Sequence, residues 1–132
     1  MDKVLILILV STFLSIEALA QNPDPLVFQN RIIDLGPVPV SKKDTVVLFQ
    51  YQNEGDVPLS IVGMFPGCPC MTVSFSTDPL MPEEMSSFSV NYHFSNTDSG
   101  PFYKAITITY SVQNSTDLKI IRVGIKGEAV KE

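Results

Sequence analysis

Three segments of the chain alternate apolar and polar residues with a period of two. In residues 87–94, phenylalanine, valine and tyrosine occupy every second position, with serine, asparagine and histidine between them. The same alternation recurs at residues 105–112 and 121–126. Successive side chains of an extended strand point to opposite faces, so each segment predicts a strand with one buried face. Fainter apolar runs predict further strands at residues 26–28 together with 32–33, and at 45–52, 59–64 and 71–75.

Clusters of glycine, proline, asparagine and aspartate separate these runs at short intervals and predict turns. They lie at residues 36–37, 53–56, 66–67, 78–79, 81–84, 99–101 and 114–115. This spacing is typical of a β-sandwich, in which two sheets bury each other's apolar faces. We therefore expect an all-β sandwich of about seven strands and no helix. The inward positions predict a core that includes Phe49, Tyr51, Phe88, Val90, Tyr92, Ile106, Ile108 and Val123.

The N-terminus has the layout of a secretory leader. Residues 1–20 hold a lysine, an apolar run that serines and a threonine interrupt, and a small-x-small cleavage sequence before Gln21. The run is shorter than the ~20 residues that a helix needs to cross a bilayer. We therefore expect a signal peptide at residues 1–20 and one domain at residues 21–132. The mature domain is expected to be soluble in the periplasm or outside the cell, with no membrane span after cleavage.

The charge and the cysteine content exclude some classes of protein. Lysine and arginine number 9 against 14 for aspartate and glutamate, a formal net charge of -5. Nucleic acids and anionic membranes require a basic face, so we expect neither as a partner. An antibody-type core, with a tryptophan packed on a disulfide between the sheets, is also excluded. The chain has no tryptophan, and its two cysteines are too close in sequence to join two sheets.

A series of short motifs follows in a recognisable order along the chain. They are Ile33-Asp34-Leu35-Gly36, residues 49–61 with Asn53-Glu54-Gly55-Asp56-Val57-Pro58-Leu59, Gly67-Cys68-Pro69-Cys70, Met81-Pro82-Glu83-Glu84, Ser99-Gly100-Pro101-Phe102-Tyr103-Lys104 and Ile125-Lys126-Gly127-Glu128. Together they resemble a family of exported bacterial immunoglobulin-like domains of unknown function. The landmarks of that family are Asp-Phe-Gly, Asn-x-Gly-Asp-x-Pro-Leu, Cys-Gly-Cys and Pro-Gly-Glu, and the resemblance covers nearly all of residues 26–129.

The resemblance implies an immunoglobulin-like antiparallel β-sandwich, similar to hydin-type and PapD-like domains, and a family with no established activity. Pilus chaperones of the PapD type have two domains and a basic cleft, so only their architecture is carried over. This chain departs from the family landmarks at three positions. Leu35 replaces a phenylalanine, Pro69 replaces the glycine between the cysteines, and Glu83 replaces the glycine of the Pro-Gly-Glu turn. Pro69 restricts the loop where the family has its most flexible residue.

Cys68 and Cys70 admit three interpretations. As a structural pair, they occupy a sharp corner between two strands. As a metal site, two thiols on one side of an extended segment suit Cu(I) or Zn(II), with Met71 as a further ligand. Other residues able to contribute are Met64, Met81, Met85 and His93. As a redox pair, the cysteines form a strained disulfide in a very small ring, although no basic residue lies nearby in sequence to activate a thiol.

The remaining polar residues give no catalytic constellation. His93, the single histidine, falls on the polar face of its strand, and no nucleophile or orienting acid lies near it in sequence. Residues 83–84 and 114–116 have the pattern of polar turns. We therefore expect a non-enzymatic domain with no cofactor that binds a protein partner through an exposed strand edge. The alternative function is periplasmic copper or thiol-redox handling by the Cys-Pro-Cys loop.

Overall fold

The computed structural model describes residues 24–131, and the expected signal peptide and its cleavage site lie outside the described residues. Eight strands follow one another along the chain. They are β1 (Leu26–Phe28), β2 (Ile32–Pro39), β3 (Asp44–Asn53), β4 (Leu59–Pro66), β5 (Met71–Ser74), β6 (Met85–His93), β7 (Gly100–Val112) and β8 (Leu118–Val130). A single 3-10 turn, Val40–Lys42, joins β2 to β3. Within these residues no helix is long and apolar enough to cross a membrane.

The strands form two four-stranded sheets that pack face to face. One sheet has the order β1-β3-β6-β5 and is called sheet A here; the other, sheet B, has the order β2-β8-β7-β4. The prediction of an all-β, immunoglobulin-like sandwich is confirmed. The expected count of seven strands was one too low, because residues 26–33 split into β1 and β2 in different sheets.

One strand pair departs from the expected antiparallel arrangement. After β1 the chain crosses from sheet A to sheet B, and β2 then lies beside β8 running in the same direction. The remaining strand pairs in both sheets are antiparallel. The crossing matters for function because it ends β1 after three residues and leaves much of the neighbouring strand β3 uncovered on that side.

The core lies between the sheets where the alternating apolar positions face inward. All eight predicted core residues are buried, each at most 3% exposed. Phe49 of β3 stacks on Phe88 of β6 with ring centroids 5.0 Å apart, and Phe28 of β1 meets both rings edge-on. Burial of such aromatic and branched side chains is the main term that favours folding. The period-two pattern therefore located this part of the fold correctly.

The prediction of a turn at residues 36–37 is wrong, because this segment lies inside β2. The pairing of β2 with β8 shifts between Asp34 and Pro37, which marks a bulge. The Asp34 carboxylate accepts a hydrogen bond from the Gly36 amide (2.9 Å), and Gly36 has φ +64°. Only glycine adopts this conformation easily. The Gly-Pro signal thus reports a bend within a strand rather than an end of one.

Asn53 organises the loop between β3 and β4. Its side chain is fully buried; Nδ2 donates to the carbonyls of Val57 and Leu80 (2.9 Å each), and Oδ1 accepts from the Gly55 amide (2.9 Å). A Cβ at Gly55 would lie 2.8 Å from Cβ of Pro25, so that position has no room for a side chain. The Asn-x-Gly-Asp-x-Pro-Leu motif therefore has a structural explanation.

Candidate functional site

The two cysteines lie in the turn between β4 and β5 and form a disulfide. The Met71 amide donates to the Cys68 carbonyl (3.2 Å), which closes a turn with Pro69 at its second position. The Cys70 amide donates to Cys68 Sγ (3.1 Å). Both cysteines are half-buried, so the sulfur pair borders both the core and the surface.

This turn is attached to both sheets by backbone hydrogen bonds. The Gly67 amide donates to the Ala105 carbonyl of β7 (2.9 Å), and the His93 amide at the end of β6 donates to the Cys70 carbonyl (2.8 Å). His93 lies 25 positions from Cys68 in sequence, so no local pattern predicted that the end of β6 reaches the cysteine turn.

The proposed metal ligands are only partly brought together. Met71 follows Cys70 but is buried, 4% exposed, and Met64 is buried as well. Met81 and Met85 are exposed; Met81 lies in the connection between β5 and β6, and Met85 begins β6 opposite Gln52. Residues 24–131 contain no group of three or more histidine, cysteine, aspartate or glutamate residues placed to hold a metal. Soft metals bind thiolates, so binding by Cys68, Cys70 and Met71 stays a prediction for the reduced protein.

His93 is exposed, as its position in the alternation predicted, and it has an acidic partner. Its Nδ1 is hydrogen-bonded to Oδ1 of Asp44, the residue directly opposite on β3. An ionised carboxylate has no proton to give, so Nδ1 of His93 donates and Oδ1 of Asp44 accepts. Sequence reasoning missed Asp44 because it lies 49 positions from His93 and only the pairing of β3 with β6 joins them.

Strand β3 has a free edge along its first six residues. The Phe94 amide donates to the Lys43 carbonyl (2.6 Å), and the Asn53 amide donates to the Glu84 carbonyl (3.1 Å). Bonded and non-bonded pairs alternate in an antiparallel ladder. The odd-numbered residues of β3 therefore bond β6, and the even-numbered residues direct their amides and carbonyls to the opposite side. In the described part of the chain, β1 pairs with residues 51–53 on that side, and the Gln29 amide donates to the Gln50 carbonyl (3.0 Å), so the side is uncovered at residues 44–49.

The four strands at the sheet edges are less open to a new strand, and β1 has only three residues. β2 has a bulge and two prolines, Pro37 and Pro39, that lack amide hydrogens. β5 is only four residues long. In β4, Leu59 exchanges two backbone hydrogen bonds with Leu80, the strand has a bulge, and it ends at Pro66. Short strands, bulges and prolines all hinder pairing at an edge. The segment 44–49 of β3 is therefore a regular free edge; residues 118–123 of β8, which precede its pairing with β2, are also uncovered but include Lys119 and Arg122.

The outer face of sheet B has an open groove of about 560 Å³. Three of the sequence motifs, at residues 33–36, 99–104 and 125–128, meet here. A Cβ at Gly124 would lie 2.5 Å from the Tyr103 hydroxyl oxygen, and one at Gly127 would lie 2.9 Å from the Gly36 carbonyl. Close packing of an aromatic ring and of a crossing backbone thus requires these glycines, and the motifs have a structural role at this place.

Two buried tyrosines have perturbed acidity. Burial, and secondarily the Asp24 carboxylate, raises the pKa of Tyr110 to about 12. Burial also raises the pKa of Tyr92, with a further contribution from Asp98. Desolvation disfavours the phenolate, so both hydroxyls stay neutral at physiological pH. Both rings belong to the buried core between the sheets.

Solved structures with similar folds include domains of very different proteins. VesB protease from Vibrio cholerae aligns with a TM-score of 0.66 and 15% identity over 80% of this chain, which spans only 32% of that protein. The PapD-like domain 7 of human CEP192 aligns with a TM-score of 0.60 and 11% identity over 86% of this chain and 92% of that domain. The YadV chaperone aligns with a TM-score of 0.61 and 10% identity over 80% of this chain and 52% of that one. At these identities the similarity shows the fold alone.

Sequence comparison gives the family. No curated protein sequence matches this chain. A family model described as a protein of unknown function, DUF1573, matches residues 26–128, which cover both sheets apart from the last two residues of β8. The chain therefore belongs to the DUF1573 family.

Proposed function

We propose that this chain is an exported, non-enzymatic domain that binds a protein partner through the free edge of β3. The observation that carries the proposal is the unpaired backbone along one side of residues 44–49. Its even-numbered residues direct backbone amides and carbonyls away from β6, and no other strand in the described part of the chain covers them. A row of unpaired backbone groups is a template for an added strand.

The side chains beside this edge support binding rather than protection. Val46 is 69% exposed and Leu48 is 52% exposed, and both lie on the outer face of sheet A. Natural edges that avoid pairing usually carry lysine, proline or a bulge. The segment 45–49 has none of these. A partner strand would gain main-chain hydrogen bonds from the edge and apolar contact from Val46 and Leu48.

Fold similarity gives weaker support by analogy. The YadV structure is described as a chaperone and the CEP192 domain as PapD-like. A shared sandwich does not imply a shared function. Export to the periplasm or cell exterior is part of the proposal and rests on the leader pattern in residues 1–20. A relation to hydin-type domains and to the Cys-Gly-Cys landmark of the family is also part of the proposal, and it rests on the sequence motifs.

A site-specific crosslink tests the edge. A photoreactive amino acid in place of Leu48 is expected to capture one defined partner in cells that produce the protein naturally. The same group in place of Val62, an exposed residue of β4, is the matched control and is expected to capture nothing specific. Identical products from both positions, or none from position 48, would contradict the proposal.

Val46→Pro separates loss of binding from loss of folding. The Val46 amide points away from β6, so proline removes a donor that the partner needs and no hydrogen bond of the native ladder. We expect the crosslink from position 48 to disappear while the free energy of unfolding changes by about 1 kcal/mol or less. A crosslink that survives Val46→Pro would show that the partner does not add a strand to β3.

A further inference from the structure

The first half of β8 has a free backbone edge of its own. β2 pairs with β8 only from Gly124 onward, because the chain before Ile32 crosses over from sheet A. The Gly124 amide donates to the Arg31 carbonyl (2.8 Å), so the even-numbered residues of β8 direct their backbone groups toward the β2 side. The amides and carbonyls of Leu118 and Ile120 therefore point away from β7, and no strand in residues 24–131 covers them.

A guanidinium group lies at one end of this edge. Arg31 directly precedes β2 and is exposed, and its Nη2 donates to the Arg122 carbonyl (3.2 Å). This bond holds the side chain against the edge at the point where the cover by β2 begins. A guanidinium has more N–H donors than one carbonyl can use. Donors of Arg31 therefore remain for an oxygen of another molecule.

The charges along this edge are opposite in sign to the charge of the whole chain. Lys119 and Arg122 lie on the edge, and with Arg31 they bring three cations together in a protein of formal net charge -5. The two salt bridges found among the described residues lie elsewhere and include none of the three. Asp117 lies in the turn before Leu118, at the opposite end of the edge from Arg31. The edge is thus a basic site without carboxylate partners of its own.

The side chains of the edge select the kind of strand that can pair with it. Leu118 and Ile120 are 59% and 64% exposed and share the outer face of sheet B with Arg122. Basic residues at an edge oppose pairing with a second copy of the same edge, because like charges would then lie side by side. They attract a strand that has carboxylates. Charge and apolar area together therefore fit a strand that has both acidic and apolar residues.

We propose that residues 118–123 of β8 bind an extended acidic segment of another polypeptide as an added strand. The backbone of the segment bonds the amides and carbonyls of Leu118 and Ile120, and its apolar residues contact their exposed side chains. A glutamate or aspartate at the level of Arg122 accepts hydrogen bonds from the free donors of Arg31. The site lies on sheet B and the edge of β3 lies on sheet A, so this inference does not rest on the proposed function.

A model peptide tests the proposal on the purified protein. The peptide Glu-Thr-Val-Glu-Val, with both ends blocked, is designed as an antiparallel strand. Its first glutamate then lies opposite Arg122 and its second opposite Lys119. Its two valines lie opposite Ile120 and Leu118. In titrations followed by ¹⁵N NMR, we expect the amide resonances of Arg31 and of the β8 edge to shift, and those of β3 to stay unchanged.

Two modified peptides separate strand addition from general attraction between charges. In the designed register the amides of the valines face β8, while those of the threonine and the second glutamate face solvent. N-methylation of both valines is therefore expected to abolish binding, and N-methylation of the other two residues to preserve it. Replacement of both glutamates by glutamine is expected to weaken binding at least about threefold, within the range that exposed ion pairs give.

Variants of the protein test the role of Arg31. Arg31→Gln is expected to weaken binding at least about threefold. Lys126→Gln is the matched control, because Lys126 lies on the same face of β8 but in the part that β2 covers, and it is expected to bind as wild type does. Val46→Pro is also expected to bind the peptide normally, so a failure of this proposal and a failure of the proposed function are distinguishable.

Several results would overturn the proposal. They are no shift at residues 118–123, equal affinity for the glutamate and glutamine peptides, equal effects of the two N-methylation patterns, and equal affinity of Arg31→Gln and wild type. Shifts at residues 118–123 that increase with protein concentration in the absence of peptide would show that a second copy of the chain occupies the edge. That result would also overturn the assignment to an acidic segment of another polypeptide.

Discussion

Replacing Asn53 with alanine removes three hydrogen bonds from a fully buried position and opens the loop between β3 and β4. The two bonds from Nδ2 end on the carbonyls of Val57 and Leu80, and Oδ1 accepts the third from the Gly55 amide. The two carbonyls and the one amide that lose a partner are not equally affected. The Leu80 carbonyl keeps its bond from the Leu59 amide (3.0 Å), while the Val57 carbonyl and the Gly55 amide have no second hydrogen bond within residues 24–131.

The expected loss follows from this difference. A polar group left without a partner costs about 1–3 kcal/mol, and a lost bond whose partner stays satisfied costs about 0.5–1.5 kcal/mol. Val57 and Gly55 are half-buried, so water reaches them in part and the low end of the range applies. Two such groups and one ordinary bond give a loss of roughly 2.5–3.5 kcal/mol in the free energy of unfolding.

Urea titration followed by circular dichroism measures this loss. Asn91→Ala is the matched control, because Asn91 Oδ1 is buried and has no hydrogen-bond partner in the structure. We expect the control to change the free energy of unfolding by less than about 1 kcal/mol. An Asn53→Ala protein as stable as Asn91→Ala would refute the reasoning, since it would mean that the hydrogen bonds of Asn53 contribute nothing beyond an asparagine whose oxygen has no partner.

Three other changes test separate parts of the fold. Ile108→Ala is expected to cost roughly 2–5 kcal/mol because Ile108 is fully buried, and an unchanged urea midpoint would contradict its place in the core. Glu83→Gly is expected to raise the free energy of unfolding by about 0.5–1 kcal/mol, because Glu83 has φ +69°, where glycine lacks the steric cost of a side chain; a lower urea midpoint would count against this. Tyr110 has its pKa raised to about 12 in the folded protein, so its contribution to stability is complete below pH 10 and is lost as the pH rises through 12. Between pH 10 and 12 we expect wild type to lose about 1.4 kcal/mol per pH unit more than Tyr110→Phe, and parallel stability curves for the two proteins would contradict it.

The sequence allowed the strands and the core to be predicted because period-two alternation is a local property. Phe88, Val90 and Tyr92 face inward whichever strand lies beside them. Predictions of structure failed where one local sequence pattern is compatible with two backbone structures. Gly36-Pro37 reads equally well as a turn or as a bulge, and only the hydrogen bond from Gly36 to Asp34 and the pairing with β8 decided for the bulge. The short apolar runs at residues 26–28 and 32–33 could not reveal that the chain changes sheets between them.

The candidate sites depended on contacts that no local pattern encodes. The sequence by itself determined the strand pattern, the inward positions and the presence of a Cys-Pro-Cys turn, since each of these follows from neighbouring residues. Only the tertiary structure decided that β1 stops short of β3 residues 44–49, and that Asp44, His93 and Cys70 meet across three parts of the chain. Strand order and register set those meetings, and they result from how the whole set of apolar faces packs into one core.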